Sequence, residues 1–178
     1  MPRSSALLLR LAPVVVLLAA GCGDGTVFTE NFNAGTARWS LGKGFSPAPS
    51  SVLNPADQWL TAVYDDSCAD QDYNFAYVLA PFDFGGAASV TVSHTYLGVY
   101  GKNDTTGLAW TTDAPGPNAT WNSLSELGTT DVLLTSTVTL PDAARKTGVY
   151  LGIYFRNICV RGSVGVNMGY DDFKVVVK

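Results

Sequence analysis

Along most of the chain, hydrophobic and polar residues alternate with a period of two. In Gly148–Arg156, Val149, Leu151, Ile153 and Phe155 share one face, and Tyr150, Gly152, Tyr154 and Arg156 share the other. In Asp171–Lys178, Asp171, Phe173, Val175 and Val177 alternate with Asp172, Lys174, Val176 and Lys178. Such alternation places one face of a strand in a core and the other near water. The same pattern predicts strands over Thr26–Phe32, Gln58–Tyr64, Tyr73–Leu79, Ala88–Tyr96, Thr106–Thr112 and Thr130–Leu140. Gly42–Ser51 reads as loop because Pro47 and Pro49 interrupt it. No segment has the spacing of an amphipathic helix. Roughly eight to ten short strands with Gly/Pro punctuation predict an antiparallel β-sandwich of jelly-roll type. First and last strands of such sandwiches often lie side by side, which would bring Glu30 near Asp171.

The N-terminus departs from this pattern. Arg3 and Arg10 precede the apolar run Leu11–Ala20, which is shorter than the about 20 residues a membrane-spanning helix needs. The run ends Leu18-Ala19-Ala20-Gly21-Cys22, which resembles a bacterial lipoprotein signal. The resemblance implies that residues 1–21 are removed and Cys22 is lipidated, anchoring the protein to a membrane of the bacterial cell envelope, with the outer membrane or cell surface favoured. An ordinary signal peptide cut near Ala20 is the alternative. Residues 22–26 then form a tether and 27–178 a single domain. The 178-residue chain has a net charge of −4, and losing Arg3 and Arg10 makes it more acidic. An acidic chain without a basic patch repels phosphate, so nucleic acid is not an expected partner.

Cys68 and Cys159 remain once Cys22 is set aside. Outside the cytoplasm they are candidates for a disulfide. It would close a loop of roughly 90 residues, worth up to about 4–5 kcal/mol on chain-entropy grounds. Two buried free thiols are the alternative.

Several segments, in order, resemble the choice-of-anchor J (cleaved-adhesin-like) family. They are Thr29-Glu30-Asn31-Phe32-Asn33 followed by Trp39, Tyr77 to Gly86, Ser89 to Tyr96, Trp110-Thr111-Thr112-Asp113 followed by Trp121, Leu140 to Arg156, and Tyr170-Asp171-Asp172-Phe173-Lys174-Val175. The resemblance implies a jelly-roll sandwich akin to MAM and carbohydrate-binding modules. It also implies a non-catalytic surface or binding module, and it carries no catalytic residues.

Two side-chain groups carry candidate chemistry. Glu30, Asp171 and Asp172, with Asp83, are carboxylates that suit a structural Ca²⁺, a hard cation taking six to eight oxygen ligands. Against this, Glu30 could cap backbone N–H groups or pair with Arg38 or Arg156, and the aspartates could bond a turn. Tyr150 and Tyr154, opposite the apolar face of their strand, are candidates for an exposed pair that stacks on sugar rings. A sandwich with both faces covered would bury them. The acidic loop Asp65–Asp72 lacks the calcium-loop spacing and reads as solvated. His94, the one histidine, falls on an apolar strand face and reads as a core residue. No nucleophile motif accompanies it. Glycoside hydrolysis needs two carboxyl groups about 5–10 Å apart in a cleft, and nothing in the spacing singles out a pair. The expected function is a non-catalytic surface lipoprotein that binds or adheres, with polysaccharide as the favoured ligand. A structural lipoprotein of a surface protein assembly is the first alternative and a small secreted hydrolase the second.

Overall fold

The structure is a computed structural model and describes residues 25–50, 56–63, 73–99, 105–116, 118–156 and 167–178. Cys22, Cys68, Cys159, the tether up to Asp24 and the loop Asp65–Asp72 lie outside the described residues.

The described residues form twelve strands: β1 (Thr26–Glu30), β2 (Trp39–Leu41), β3 (Phe45–Pro49), β4 (Gln58–Val63), β5 (Tyr73–Val78), β6 (Phe82–Asp83), β7 (Val90–Val99), β8 (Thr105–Thr111), β9 (Asn122–Leu127), β10 (Thr130–Thr139), β11 (Thr147–Arg156) and β12 (Asn167–Val177). The one helical piece among them is a 3₁₀ turn at Asp142–Ala144. Two antiparallel sheets face each other. One runs β10-β7-β12-β4-β3, with β1 also on β12, and the other runs β2-β5-β11-β8-β9, with β6 also on β11. This is the expected sandwich. The first and last strands do pair: Glu30 stands opposite Phe173.

Burial follows the alternation. Val149, Leu151, Ile153 and Phe155 of β11 are buried against Phe173 and Val175 of β12 in one core cluster. At one end of the core, Phe173 meets Trp39 edge-on at 5.1 Å between ring centroids and Phe28 at 6.1 Å. Offset and edge-to-face aromatic pairs of this kind add about 0.5–1.5 kcal/mol each beyond their buried area.

β2, β3, β6 and β9 go beyond the strands the alternation predicts, and β12 departs from its expected course. β3 exists despite Pro47 and Pro49 because it is an edge strand, paired on one side only, to β4. Proline is tolerated there because its missing N–H falls on the free side. β12 begins earlier than the pattern implied and contains a bulge, where its register on β7 shifts between Asp171 and Lys174. Asp172 takes a left-handed conformation at the bulge (φ 50°). The extra residue changes which side chains share a face. Met168 and Tyr170 join Phe173 and Val175 in the core, while Asp171 stands opposite Thr95. Thr95 lies between the inward residues His94 and Tyr96, so Asp171 shares the outer face with it. The strict alternation that put Asp171 in phase with Phe173 is therefore interrupted, yet Asp171 is only 6% exposed.

Candidate functional site

The outer face of the β2-β5-β11-β8-β9 sheet holds a cleft of about 670 Å³. Its floor follows from register. Gly152 of β11 lies between Ala109 of β8 and Tyr77 of β5, and Tyr154 lies between Gly107 and Phe75. Ala109 and Tyr154 line the cleft, whereas Gly107 and Gly152 are buried, the first against Ser125 of β9 and the second beside the Trp121 ring. Neither glycine tolerates a side chain: a Cβ at 107 would sit 1.8 Å from Ser125 O, and one at 152 would sit 2.8 Å from Ala76 O.

The walls are aromatic. Trp121 stacks on Phe75 at 4.5 Å with 16° between planes, and Tyr73 lies 5.7 Å from Tyr154. The loop before Trp121 is tied down by Asp113. Its N–H donates to Thr111 Oγ1 at 3.0 Å and its carboxylate accepts from Thr120 N at 2.8 Å. Asn74, Ser123, Glu126 and Lys43 supply polar groups around these rings. Apolar walls with a few placed polar groups are the usual make-up of a small-molecule or glycan site.

Tyr154 belongs to this cleft, but it is 3% exposed rather than open to water. The covered face that could bury it is present, built by Tyr73, Phe75 and Trp121. Its hydroxyl lies 3.3 Å from Ser123 Oγ. Tyr150, half-buried, stands opposite Thr111 and is not among the residues lining the cleft. The sequence pattern did not single out Trp121 and Phe75. Their signal was present, two aromatic residues beside small ones, but only the register between strands brings them together.

The carboxylates gather elsewhere, where β1 meets β12. Glu30 is buried, accepts from Phe32 N at 3.2 Å and from Arg38 Nε at 3.0 Å, and its Oε2 lies 2.8 Å from Arg38 Nη2. It thus caps the backbone and pairs with Arg38. Arg38 also lies over the Phe28 ring at 4.4 Å. Asp172 accepts from Thr95 Oγ1 at 3.2 Å. Asp171 Oδ1 is buried without a hydrogen-bond partner. Burial, reinforced by the nearby charges of Asp172, Asp57 and Glu30 and partly offset by a hydrogen bond from Asp172 N–H, pushes the Asp171 pKa up to about 7. Asp57, which precedes β4, joins this acidic corner although the sequence did not point to it. Phe32 and Asp172 flank the corner and are the non-glycine residues with positive φ among those described, at 56° and 50°. Backbone strain of this kind persists where the surroundings over-determine it, often at binding sites.

Asp83 stands apart on β6 of the other sheet. It is exposed, and its Oδ1 accepts from Gly85 N at 2.9 Å and Thr147 Oγ1 at 2.8 Å. Those two bonds hold its pKa below the ordinary value. Oxygen donors and an unpartnered buried carboxylate oxygen fit a hard cation at Asp171. Side chains alone do not complete a site: among the described residues, no three of His, Cys, Asp and Glu converge to hold a metal.

His94 is buried in the core beside the rings of Tyr96 (5.7 Å) and Tyr170 (6.3 Å). Neither ring nitrogen has a partner, and burial lowers its pKa to about 4. Among the described residues lining the cleft, Glu126 alone carries a carboxylate, so the paired acids of glycoside hydrolysis do not meet there.

No family model and no curated protein sequence matches the chain. Solved structures do share its fold, that of carbohydrate-binding and adhesin modules. The CBM22-1 xylan-binding domain of Xyn10C from Paenibacillus barcinonensis aligns over 89% of this chain and 97% of its own, with TM-score 0.56 and 14% identity. The K1 cleaved adhesin domain of Lys-gingipain from Porphyromonas gingivalis W83 aligns over 85% and 98%, with TM-score 0.58 and 14% identity. TmCBM61, solved with β-1,4-galactotriose, aligns over 84% and 95%, with TM-score 0.52 and 13% identity.

Proposed function

We propose that the protein is a non-catalytic polysaccharide-binding module held at the bacterial cell envelope by a lipidated Cys22. The cleft beside Trp121 carries this reading. Its aromatic walls suit the apolar faces of sugar rings, and the side-chain-free positions Gly107 and Gly152 let β9 and Trp121 settle close to the sheet to build them. The xylan and galactan fragments bound by fold relatives support a β-linked glycan as the first ligand class to try. The test is an array of soluble and insoluble polysaccharides, xylan and β-1,4-galactan included, probed with the protein and with Trp121→Ala. Binding that Trp121→Ala abolishes supports the reading. Binding unchanged by that substitution moves the site elsewhere, and a blank array shifts the reading to a structural lipoprotein of a surface assembly.

We also infer a structural calcium ion at the β1–β12 corner, held by the Asp171 carboxylate, with Asp172, Glu30 and Asp57 adding negative charge nearby rather than ligands. Main-chain carbonyls or water would complete its shell. The ion would offset the clustered negative charge and tie the ends of the domain together. Thermal unfolding with and without chelator reads this directly. Added Ca²⁺ should raise Tm for the native chain and leave Asp171→Asn nearly unmoved. Equal response of both proteins would remove Asp171 from the site.

A further inference from the structure

A β-sheet edge presents unpaired N–H and C=O groups, and proteins blunt such edges with prolines, charges, bulges or short strands. Of the four strands that end the two main strand orders, three are blunted in these ways. β3 carries Pro47 and Pro49, β2 is three residues long, and β9 carries Glu126 and a register shift against β8. The fourth, β10, carries Asp131 and a register shift against β7 between Thr130 and Leu134, but from Leu134 to Thr139 it runs in regular register with no proline and no charge. Val132, Leu133 and Leu134 in it are 57%, 40% and 42% exposed.

The direction of its backbone groups follows from the ladder. Leu140 N–H donates to Val90 O at 2.8 Å, and register against β7 is continuous from Leu134 to Thr139. Hydrogen-bonded pairs alternate in an antiparallel ladder. Even-numbered residues of β10 therefore bond β7, and Thr135, Thr137 and Thr139 turn their N–H and C=O outward.

We propose that two copies of this chain pair antiparallel through β10 about a twofold axis, joining their sheets into one. The strand is complementary to itself. Matching outward groups sets odd-numbered residues opposite odd-numbered ones. No such register places Asp131 opposite Asp142, the two charges that bracket the strand. The chain carries a net charge of −4, so two copies repel over most of their surfaces. The uncharged stretch from Val132 to Leu140 is where they can approach. Isologous pairing of one patch with itself is the commonest way a homodimer closes. The cleft lies on the other sheet and stays open, so each dimer would offer two clefts to one polysaccharide, gaining avidity without a new contact.

The test is sedimentation equilibrium of the full chain, in density-matched detergent, at concentrations up to about 100 μM. The native chain should sediment as a dimer. Thr137→Pro removes an N–H that points away from β7, so the fold should persist, and the dissociation constant should rise at least about tenfold. The double variant Thr135→Lys/Thr137→Lys, which sets like charges across the axis, should sediment as a monomer with unchanged far-UV circular dichroism. A native chain that is monomeric at the highest concentration overturns the proposal, whatever else binds the edge. So does a dimer that both variants leave intact.

Discussion

The two outer faces of the sandwich obey the same alternation and end up unlike each other. On the β11 sheet, outward positions hold Tyr73, Phe75, Tyr77 and Tyr154 around the small residues Gly107, Ala109 and Gly152. Trp121 folds over them, and outward aromatic residues become walls of a cleft. On the β12 sheet, the corresponding positions of β7 and β10 hold hydroxyls: Thr91, Ser93 and Thr95, and Thr135, Thr137 and Thr139. That face has a hollow of about 580 Å³ beside Ser93, Thr95, Asp172 and Lys174 and a smaller one of about 250 Å³ beside Trp59 and Gly169, with no stacked aromatic pair like Trp121 on Phe75 among the described residues lining either. An outward position is thus defined by periodicity, but whether it is exposed depends on what its neighbours in other strands leave uncovered.

Substitutions on opposite sides of one sheet sharpen this contrast. Phe173→Ala, on the inner side of β12, empties a site ringed by Trp39 and Phe28. Unfolding by denaturant should show a loss of about 3–5 kcal/mol, with glycan affinity unchanged in the molecules that remain folded. Trp121→Ala should do the reverse. Its ring is half-buried and lies outside the core cluster, so stability should fall by no more than about 1 kcal/mol. Affinity should fall by about 2 kcal/mol, roughly 30-fold, as for other aromatic anchors. If Trp121→Ala unfolds the domain, the cleft wall is core and the two faces are not functionally distinct.

How much of this was legible in the sequence follows the same line. The sandwich, the pairing of first and last strands and the inner residues of β11 follow from period-two patterning, because one buried face fixes the pattern locally. The edge strand β3 was hidden by its prolines, which signal a loop unless one knows that one side of the strand is free. The bulge in β12 was also hidden. One added residue moved Asp171 off the core face, and nothing in Tyr170-Asp171-Asp172-Phe173 marks where the register slips. The cleft was hidden for a third reason. Phe75, Gly107, Trp121 and Gly152 meet only through the registers of three strand pairs, and those registers are long-range properties.

The smallest expected effect comes from Asp171 and His94, whose Oδ1 and ring nitrogens are buried without partners. The folded-state pKa of Asp171 is raised from 3.8 to about 7. The folded protein therefore holds a proton that the unfolded chain releases, and this contribution to stability is full below about pH 4 and lost as pH rises towards 7. For His94 the folded-state pKa is lowered from 6.5 to about 4. Its contribution is full above about pH 6.5 and lost as pH falls towards 4. The windows overlap and the signs oppose, each effect being on the order of 2–4 kcal/mol. In chelator, the stability of the native chain should therefore vary less between pH 4 and 7 than that of either single variant. Asp171→Asn should expose the histidine alone, with stability rising with pH. His94→Gln should expose the aspartate alone, with stability falling. Calcium should act like Asp171→Asn, because a bound cation keeps the carboxylate ionised through the same window. A native profile that already slopes steeply in chelator would mean that one of the two groups finds a partner in the folded protein, and the sign of the slope would say which.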